Sequence, residues 1–160
     1  MRVLIVSDTH GHDDNFMKVV EKEKNIDLIV HLGDIMGLED YIEEVTGIPC
    51  YAVKGNNDYR SFLPAESIIM LGKHRTFITH GHNYGVNYST AVLKENAMAL
   101  DCDIVLYGHT HIPEIDNAGR IIAANPGSLT YPRQPGRKPS YIIGKTDQEG
   151  DVKFEIFYLE

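Results

Sequence analysis

Val3-Leu4-Ile5-Val6 runs directly into Ser7-Asp8-Thr9-His10-Gly11, and this junction decides how the rest of the chain is read. Four apolar residues without alternation form a short strand covered on both faces, the habit of parallel sheets. Polar residues stop it and offer a carboxylate and an imidazole. Asp13-Asp14-Asn15 follows as N-cap material. Phe16, Val19, Val20 and Glu23 then keep helical spacing as far as Lys24-Asn25, with only Glu23 polar. Ile26 to Val30 reads as a second buried strand. Leu38, Tyr41, Ile42 and Val45 stand at i, i+3, i+4 and i+7, an amphipathic helix ended by Gly47 and Pro49. Tyr51 to Val53 is a third strand. Such alternation predicts βαβ units with parallel pairing.

The second half is richer in strands. Ile68 to Leu71 and Arg75 to Thr79 flank Gly72-Lys73 as a hairpin, and Leu93, Ala97 and Leu100 mark a helix over roughly 88–100. Ile104 to Tyr107 is another buried strand. Ile115, Ile121 to Ala124, Tyr141 to Lys145 and Val152 to Tyr158 follow, with turns at Asn117-Ala118-Gly119 and Gln148-Glu149-Gly150. Two sheets packed face to face, with helices outside, would bury all of them, so the expected class is α/β.

Composition narrows the function. The 160 residues suit one domain, 1–160, large enough to fold without staples. Apolar residues are 42% and charged residues 24%, which excludes a disordered chain. Fifteen basic against 23 acidic residues give a net charge of −8, which opposes broad nucleic-acid binding. No apolar run approaches the ~18 residues of a membrane span, and Val3 to Val6 is too short for a signal-peptide core. A cytoplasmic protein is expected. Cys50 and Cys102 read as small apolar residues rather than a disulfide. Six of the eight histidines form His-x-His pairs: His10/His12, His80/His82 and His109/His111.

Ligand-type residues collect where apolar strands stop. The five ends are Ser7 to Gly11, His31-Leu32-Gly33-Asp34, Gly55-Asn56-Asn57-Asp58, His80-Gly81-His82 and Gly108-His109-Thr110-His111. Carboxyl ends of parallel strands share one sheet edge, which is where sites form. In extended chain residues i and i+2 point the same way, so both members of Asp8-x-His10 and of His109-x-His111 can face one ion. Imidazole and carboxylate without thiolate suit zinc, manganese, iron or nickel. Seven donors are too many for one tetrahedral ion and suit two ions sharing a carboxylate bridge. Two divalent ions and two aspartates leave +2, enough for a hydroxide and an anionic substrate. Any one of these ends alone is more often a turn or a hydrogen-bonded structural residue. Five together reverse that weight, because desolvating so many polar groups without a cation costs several kcal/mol.

Asp8-x-His10, Gly33-Asp34, Gly55-Asn56-x-Asp58, His80 and Gly108-His109-x-His111, in that order, resemble the signature of the calcineurin-like metallophosphoesterases. The pieces Thr79-His80-Gly81-His82, Tyr107 to His111 and Asn125-Pro126-Gly127-Ser128 resemble the small bacterial and archaeal phosphodiesterases of that superfamily. The resemblance runs from the first strand to about Ser140. It implies a four-layer α-β-β-α sandwich of two mixed sheets. It also implies a first metal on Asp8, His10 and His111, a second on Asn56, His80 and His109, and Asp34 as the bridge. Two divalent ions are expected, manganese foremost, with nickel, zinc or iron as alternatives.

The function expected from this is a metal-dependent phosphodiesterase. A metal-bridging hydroxide would attack phosphorus in line with the leaving oxygen, with Asn56 and the ions stabilising phosphoryl charge. Neither cysteine lies in a ligand motif, which argues against a cysteine nucleophile. Superfamily members often carry His where this chain has Asn57, so the proton donor to the leaving group is unassigned. His82 is the candidate, either as acid or as support for the ligands. A phosphomonoesterase on the same site is the nearest alternative. A non-catalytic protein-binding scaffold of the same fold is the alternative from another class. The expected partner is a small phosphate ester, and a homo-oligomer is compatible with the sequence. Tyr131 to Pro139 is basic without an acid and rich in Pro and Gly; a basic loop can reach a substrate phosphate, but the breakers favour a mobile solvated loop. Tyr84 and Tyr88 are open between core packing and substrate stacking.

Overall fold

A computed structural model describes all residues, 1–160. The first strand is β1 (Arg2–Val6), followed by α1 (Asp14–Lys22), β2 (Leu28–His31), α2 (Tyr41–Thr46) and β3 (Cys50–Ala52). The hairpin β4 (Glu66–Leu71) and β5 (His74–Thr79) precedes α3 (Ala91–Ala99) and β6 (Ile104–Leu106). The last four strands are β7 (Pro113–Asp116), β8 (Ile122–Pro126), β9 (Ser140–Thr146) and β10 (Val152–Tyr158).

The strands form two mixed five-stranded sheets, ordered β10-β9-β1-β2-β3 and β4-β5-β6-β8-β7. β1, β2 and β3 are parallel, with Ile5 opposite Val30 and His31 opposite Ala52. β5, β6 and β8 are parallel in the second sheet, with Phe77 opposite Val105 and Val105 opposite Ala123. Alternate side chains explain the layering. Val3, Ile5, Val30, Leu32, Ile78, Ile104 and Leu106 meet between the sheets. Leu4, Val6 and Ile29, on the other face, pack with Phe16 and Val19 of α1 and Ile42 of α2. Phe77, Val105 and Ala123 pack with Leu93 and Ala97 of α3. Three apolar seams thus separate four layers, α-β-β-α, as the resemblance implied.

Two element boundaries differ from the sequence reading. β2 starts at Leu28 rather than Ile26, because the Asp27 carboxylate accepts the Arg2 N–H at 2.6 Å beside the ladder. α2 starts at Tyr41 rather than Leu38. Met36 and Gly37 both have positive φ, and the Asp58 carboxylate accepts the Ile35 and Met36 N–H groups. Those bonds hold the residues after Asp34 in a loop, so the helix cannot begin there.

Candidate metal centre

The carboxyl ends of β1, β2, β3, β5 and β6 open onto one edge, and the loops leaving them carry the seven expected donors. The ligand atoms of Asp8, His10, Asp34 and His111 all lie within 4.8 Å of one another. His10 Nε2 faces His111 Nε2 at 3.3 Å and lies 3.8 Å from Asp8 Oδ1. A second group adjoins it: Asn56 Oδ1 lies 3.1 Å from both His80 Nε2 and His109 Nδ1. Asp34 Oδ2 stands between the groups, 3.7 Å from His10 Nε2 and 3.5 Å from His80 Nε2. The expected donors thus gather at one edge, with Asp8, His10 and His111 in one group, Asn56, His80 and His109 in the other, and Asp34 between them.

The route to this arrangement is not the extended chain expected. Asp8, His10, Asp34, His109 and His111 all have positive φ, between 49° and 69°. Non-glycine residues enter this region rarely, and clusters of them mark functional sites. Because the backbone coils at each residue, the members of a pair can part. His111 turns to Asp8, with Nε2 at 3.0 Å from Oδ1, whereas His109 turns to Asn56. The expectation that His109 and His111 face one ion by alternation is thus corrected.

Neighbouring groups fix the rings. His80 Nδ1 donates to the Leu32 carbonyl at 2.7 Å, and His111 Nδ1 to the Tyr131 carbonyl at 2.8 Å. Each donation leaves the Nε2 lone pair aimed into the site, the usual outer support of a ligating imidazole. Asp34 is clamped by Asn57, whose backbone N–H donates to Oδ1 at 2.8 Å and whose side-chain amide donates to Oδ2 at 2.7 Å. Asp8 Oδ2 accepts from Ser7 Oγ at 2.6 Å and from the His109 N–H at 3.1 Å. Glycine is required where β3 ends. A Cβ on Gly55 would stand 2.2 Å from Asp34 Oδ1, so the approach of this loop to the carboxylate excludes any side chain.

The donor set fits divalent cations. Asp8 Oδ1 is buried and accepts no hydrogen bond, while nitrogen lone pairs of His10, His80 and His111 point towards it and Asp34. An unsatisfied buried carboxylate oxygen facing lone pairs is costly unless a positive charge lies between them. The titration behaviour agrees. Burial opposes the charge of Asp8 and Asp34, yet the imidazoles beside them hold both carboxyls below the ordinary carboxylate range. Burial likewise opposes a charge on His80, but Asp34 and Asp8 together raise its pKa. Burial lowers the pKa of His10 and His109, so both rings are free to donate lone pairs near neutral pH.

Other residues singled out in the sequence fall outside this convergence. The His82 ring lies 5.5 Å from that of His80 and 6.1 Å from that of His109, with a buried Nδ1 that has no partner. Burial, then repulsion from His80, lowers its pKa, so it is not primed as a proton donor. His12 is exposed, 3.4 Å from the Tyr131 hydroxyl. Tyr84 packs edge-on against Phe77 and Tyr88 is exposed. Tyr131 to Pro139 is not a free loop. It is tied to the centre through the Tyr131 carbonyl, and the Arg133 N–H donates to the His111 carbonyl at 3.0 Å.

Sequence reading missed several supports. His31 is fully buried beneath the centre, with Nδ1 accepting the Gly33 N–H and Nε2 3.0 Å from Thr9 Oγ1. Ser128 Oγ donates to the Asp8 carbonyl and accepts from Thr130 and Tyr131. Asn87 Nδ2 lies 3.2 Å from His109 Nε2. Of these, His31, at a strand end three residues before Asp34, and Ser128, in the Asn125-Pro126-Gly127-Ser128 piece, stood in quoted motifs, whereas Asn87 carried no signal.

Comparison with known proteins agrees with the geometry. Residues 1–149 match the model of the calcineurin-like phosphoesterase superfamily domain. The chain is 33% identical over 165 residues to the probable metallophosphoesterase MG207 of Mycoplasma genitalium, covering all of this chain and 96% of that one. It is 30% identical to phosphodiesterase MJ0936 of Methanocaldococcus jannaschii, across 79% of this chain and 83% of the relative. Among solved structures it resembles a predicted phosphoesterase from Streptococcus pneumoniae TIGR4, at 28% identity and TM-score 0.83, covering 98% and 88% of the two chains. A single mutant of Vps29 from Entamoeba histolytica matches over the full length of both chains, at 25% identity and TM-score 0.78. With its motifs in order, its donors converged at one sheet edge and its length matched almost throughout, this chain belongs to the calcineurin-like phosphoesterase superfamily.

Proposed function

We propose that this protein is a dinuclear metal-dependent phosphodiesterase whose single catalytic domain spans residues 1–160. Asp8, His10 and His111 would hold one ion, Asn56, His80 and His109 the other, and Asp34 would bridge. The observation that carries this reading is the Asp34 carboxylate between two separate groups of donors, held by two bonds from Asn57. Manganese is the proposed ion, with zinc, iron and nickel competing. Bound divalent ions supply Lewis acidity and lower the pKa of water towards ~7, making hydroxide available at neutral pH.

The chain's own groups do the rest. Asp34 and Asp8 stay ionised and hold positive charge at the phosphate position. The Asn56 side-chain amide can donate to a phosphoryl oxygen as charge develops there. Asn57 is committed to Asp34 and is a poor proton donor, so the leaving oxygen must depart unassisted from that position. Leaving groups of low pKa are therefore favoured. The relative named phosphodiesterase MJ0936 supports the diester over the monoester. Completeness of the donor set favours an enzyme over a protein-binding scaffold, the alternative suggested by the likeness to Vps29. A cytoplasmic setting, where thiols stay reduced, suits the unbridged Cys50 and Cys102.

The test is a metal-stripped sample reconstituted ion by ion and assayed on matched aryl phosphomonoesters and phosphodiesters. Two ions bound per chain, with diester turnover restored by manganese, is the expected result. Faster monoester turnover would favour the phosphomonoesterase. No turnover of either ester by the loaded protein would favour the scaffold.

A further inference from the structure

We propose that Arg133 and Arg137 form an anion site beside the metal centre, selecting a small phosphodiester with a second phosphate or carboxylate group. This rests on the phosphoesterase reading above and names the substrate class of that site. A cleft of about 500 Å³ is lined by Thr130, Tyr131, Pro132, Arg133 and Arg137. A second, of about 520 Å³, includes Asn87, Thr110, Glu114 and again Arg133. Both border the donors. The Tyr131 ring lies 5.2 Å from that of His10, and Asn87 contacts His109. Arg133 thus lines both clefts, and its backbone N–H is bonded to the carbonyl of His111.

The two guanidinium groups are uncommitted. Neither makes an ion pair or a side-chain hydrogen bond within the chain. The acid nearest in these walls, Glu114, already accepts from the Tyr107 hydroxyl at 3.0 Å. Their backbone is nevertheless held. The Arg133 N–H is bonded to the His111 carbonyl and the Arg137 N–H to the Gln134 carbonyl, while buried Gln134 donates to the Lys138 carbonyl at 2.6 Å. Two permanent cations at the mouth of a site, on a chain of net charge −8, attract a second anion on the substrate and match its oxygens bidentately. The acidic remainder of the surface opposes a long polyanion, which restricts the class to small molecules.

The experiment uses the metal-loaded protein and two diesters that differ by one group. These are thymidine 5′-(p-nitrophenyl phosphate) and the same ester bearing a 3′-phosphate, with nitrophenolate release measured. The expected preference of the wild type in kcat/KM is about tenfold for the 3′-phosphorylated ester, carried by KM and diminished by salt. Arg133→Ala with Arg137→Ala should bring the ratio to about one, and the paired Arg→Lys changes should recover part of it. A wild-type ratio near one, or an unchanged ratio in the alanine variant, would overturn the proposal. If neither ester is hydrolysed, the phosphoesterase reading fails, and calorimetry still decides the anion site. Thymidine 3′,5′-bisphosphate should then bind the wild type tighter than thymidine 5′-phosphate, and the alanine variant equally. Stronger competition by a thymidine oligonucleotide than by the bisphosphate would overturn the restriction to small molecules.

Discussion

Asp34 and His31 lie three residues apart and answer different questions about the centre. The Asp34 carboxylate lies between the two nitrogen groups, with Oδ2 3.7 Å from His10 Nε2 and 3.5 Å from His80 Nε2, so its charge would serve both proposed ions. Asp34→Asn keeps the shape and removes that charge. We expect activity to fall by roughly 100-fold or more and the metal content to drop well below two ions per chain, read by elemental analysis. His12→Ala is the control. His12 touches only the Tyr131 hydroxyl at the rim, and near-normal turnover and metal content are expected. A loss as deep as that of His10→Ala would place His12 among the ligands. His31 bears on stability instead. Full burial pushes its pKa down to about 4, against about 6.5 in the unfolded chain. The unfolded state therefore binds the extra proton first, and stability is lost as pH falls from about 6.5 to 4. A shift of that size is worth roughly 3 kcal/mol by linkage. Urea titrations of wild type and His31→Asn at pH 7 and pH 5 should show the variant losing less on acidification. An equal loss in both would remove His31 as the source.

At the scale of elements, the loops after the strands matter more than the strands. Ser128, in the loop after β8, holds the first strand end through the Asp8 carbonyl and its own loop through the Thr130 and Tyr131 N–H groups. Ser128→Ala would leave buried backbone groups unpaired, at a cost of about 1–3 kcal/mol. We expect a lower melting temperature and weaker retention of the ion on Asp8, His10 and His111. Normal stability with normal metal retention would show that the loop is held by packing alone. Asn125 works beside it, donating to the Gly108 carbonyl and to Thr110 Oγ1 while its Oδ1 accepts the Gly127 N–H. The segment Asn125 to Ser128 is thus a brace between the first and last ligand loops. Asp58 braces the other side. Its carboxylate accepts the N–H groups of Ile35, Met36 and Gly55, so it is not available to orient a ring at position 57.

For the whole molecule, the consequence of the centre is coupling between metal and fold. The sheets meet at the site through the His80 ring, which donates to the Leu32 carbonyl of the opposite sheet. Ions that bind only the folded chain stabilise it by mass action, about 2.7 kcal/mol at a hundred times the dissociation constant. Chelation should lower the melting temperature by several degrees, and manganese should restore it. An unchanged melting temperature on full removal of metal would show that the apo edge is already rigid.

The sequence by itself determined the layers and the donors. Uninterrupted apolar runs such as Val3 to Val6 and Ile104 to Leu106 have to be buried on both faces, and each is followed within a few residues by Asp or His. That is enough to specify two packed sheets and a polar edge, because burial and alternation are local properties. The tertiary structure decided which donor belongs with which. Left-handed backbone at Asp8, His10, Asp34, His109 and His111 undoes simple alternation, and no residue type there announces it. It also decided the supports: His31 beneath the centre, Asn57 on Asp34, Ser128 on the Asp8 loop, and a basic loop bound to His111 rather than free. These are contacts between segments up to 120 residues apart, and they exist only once both sheets have packed. Local pattern carries no information about such pairings, because hydrogen bonds across that distance depend on where the packed cores bring the strand ends.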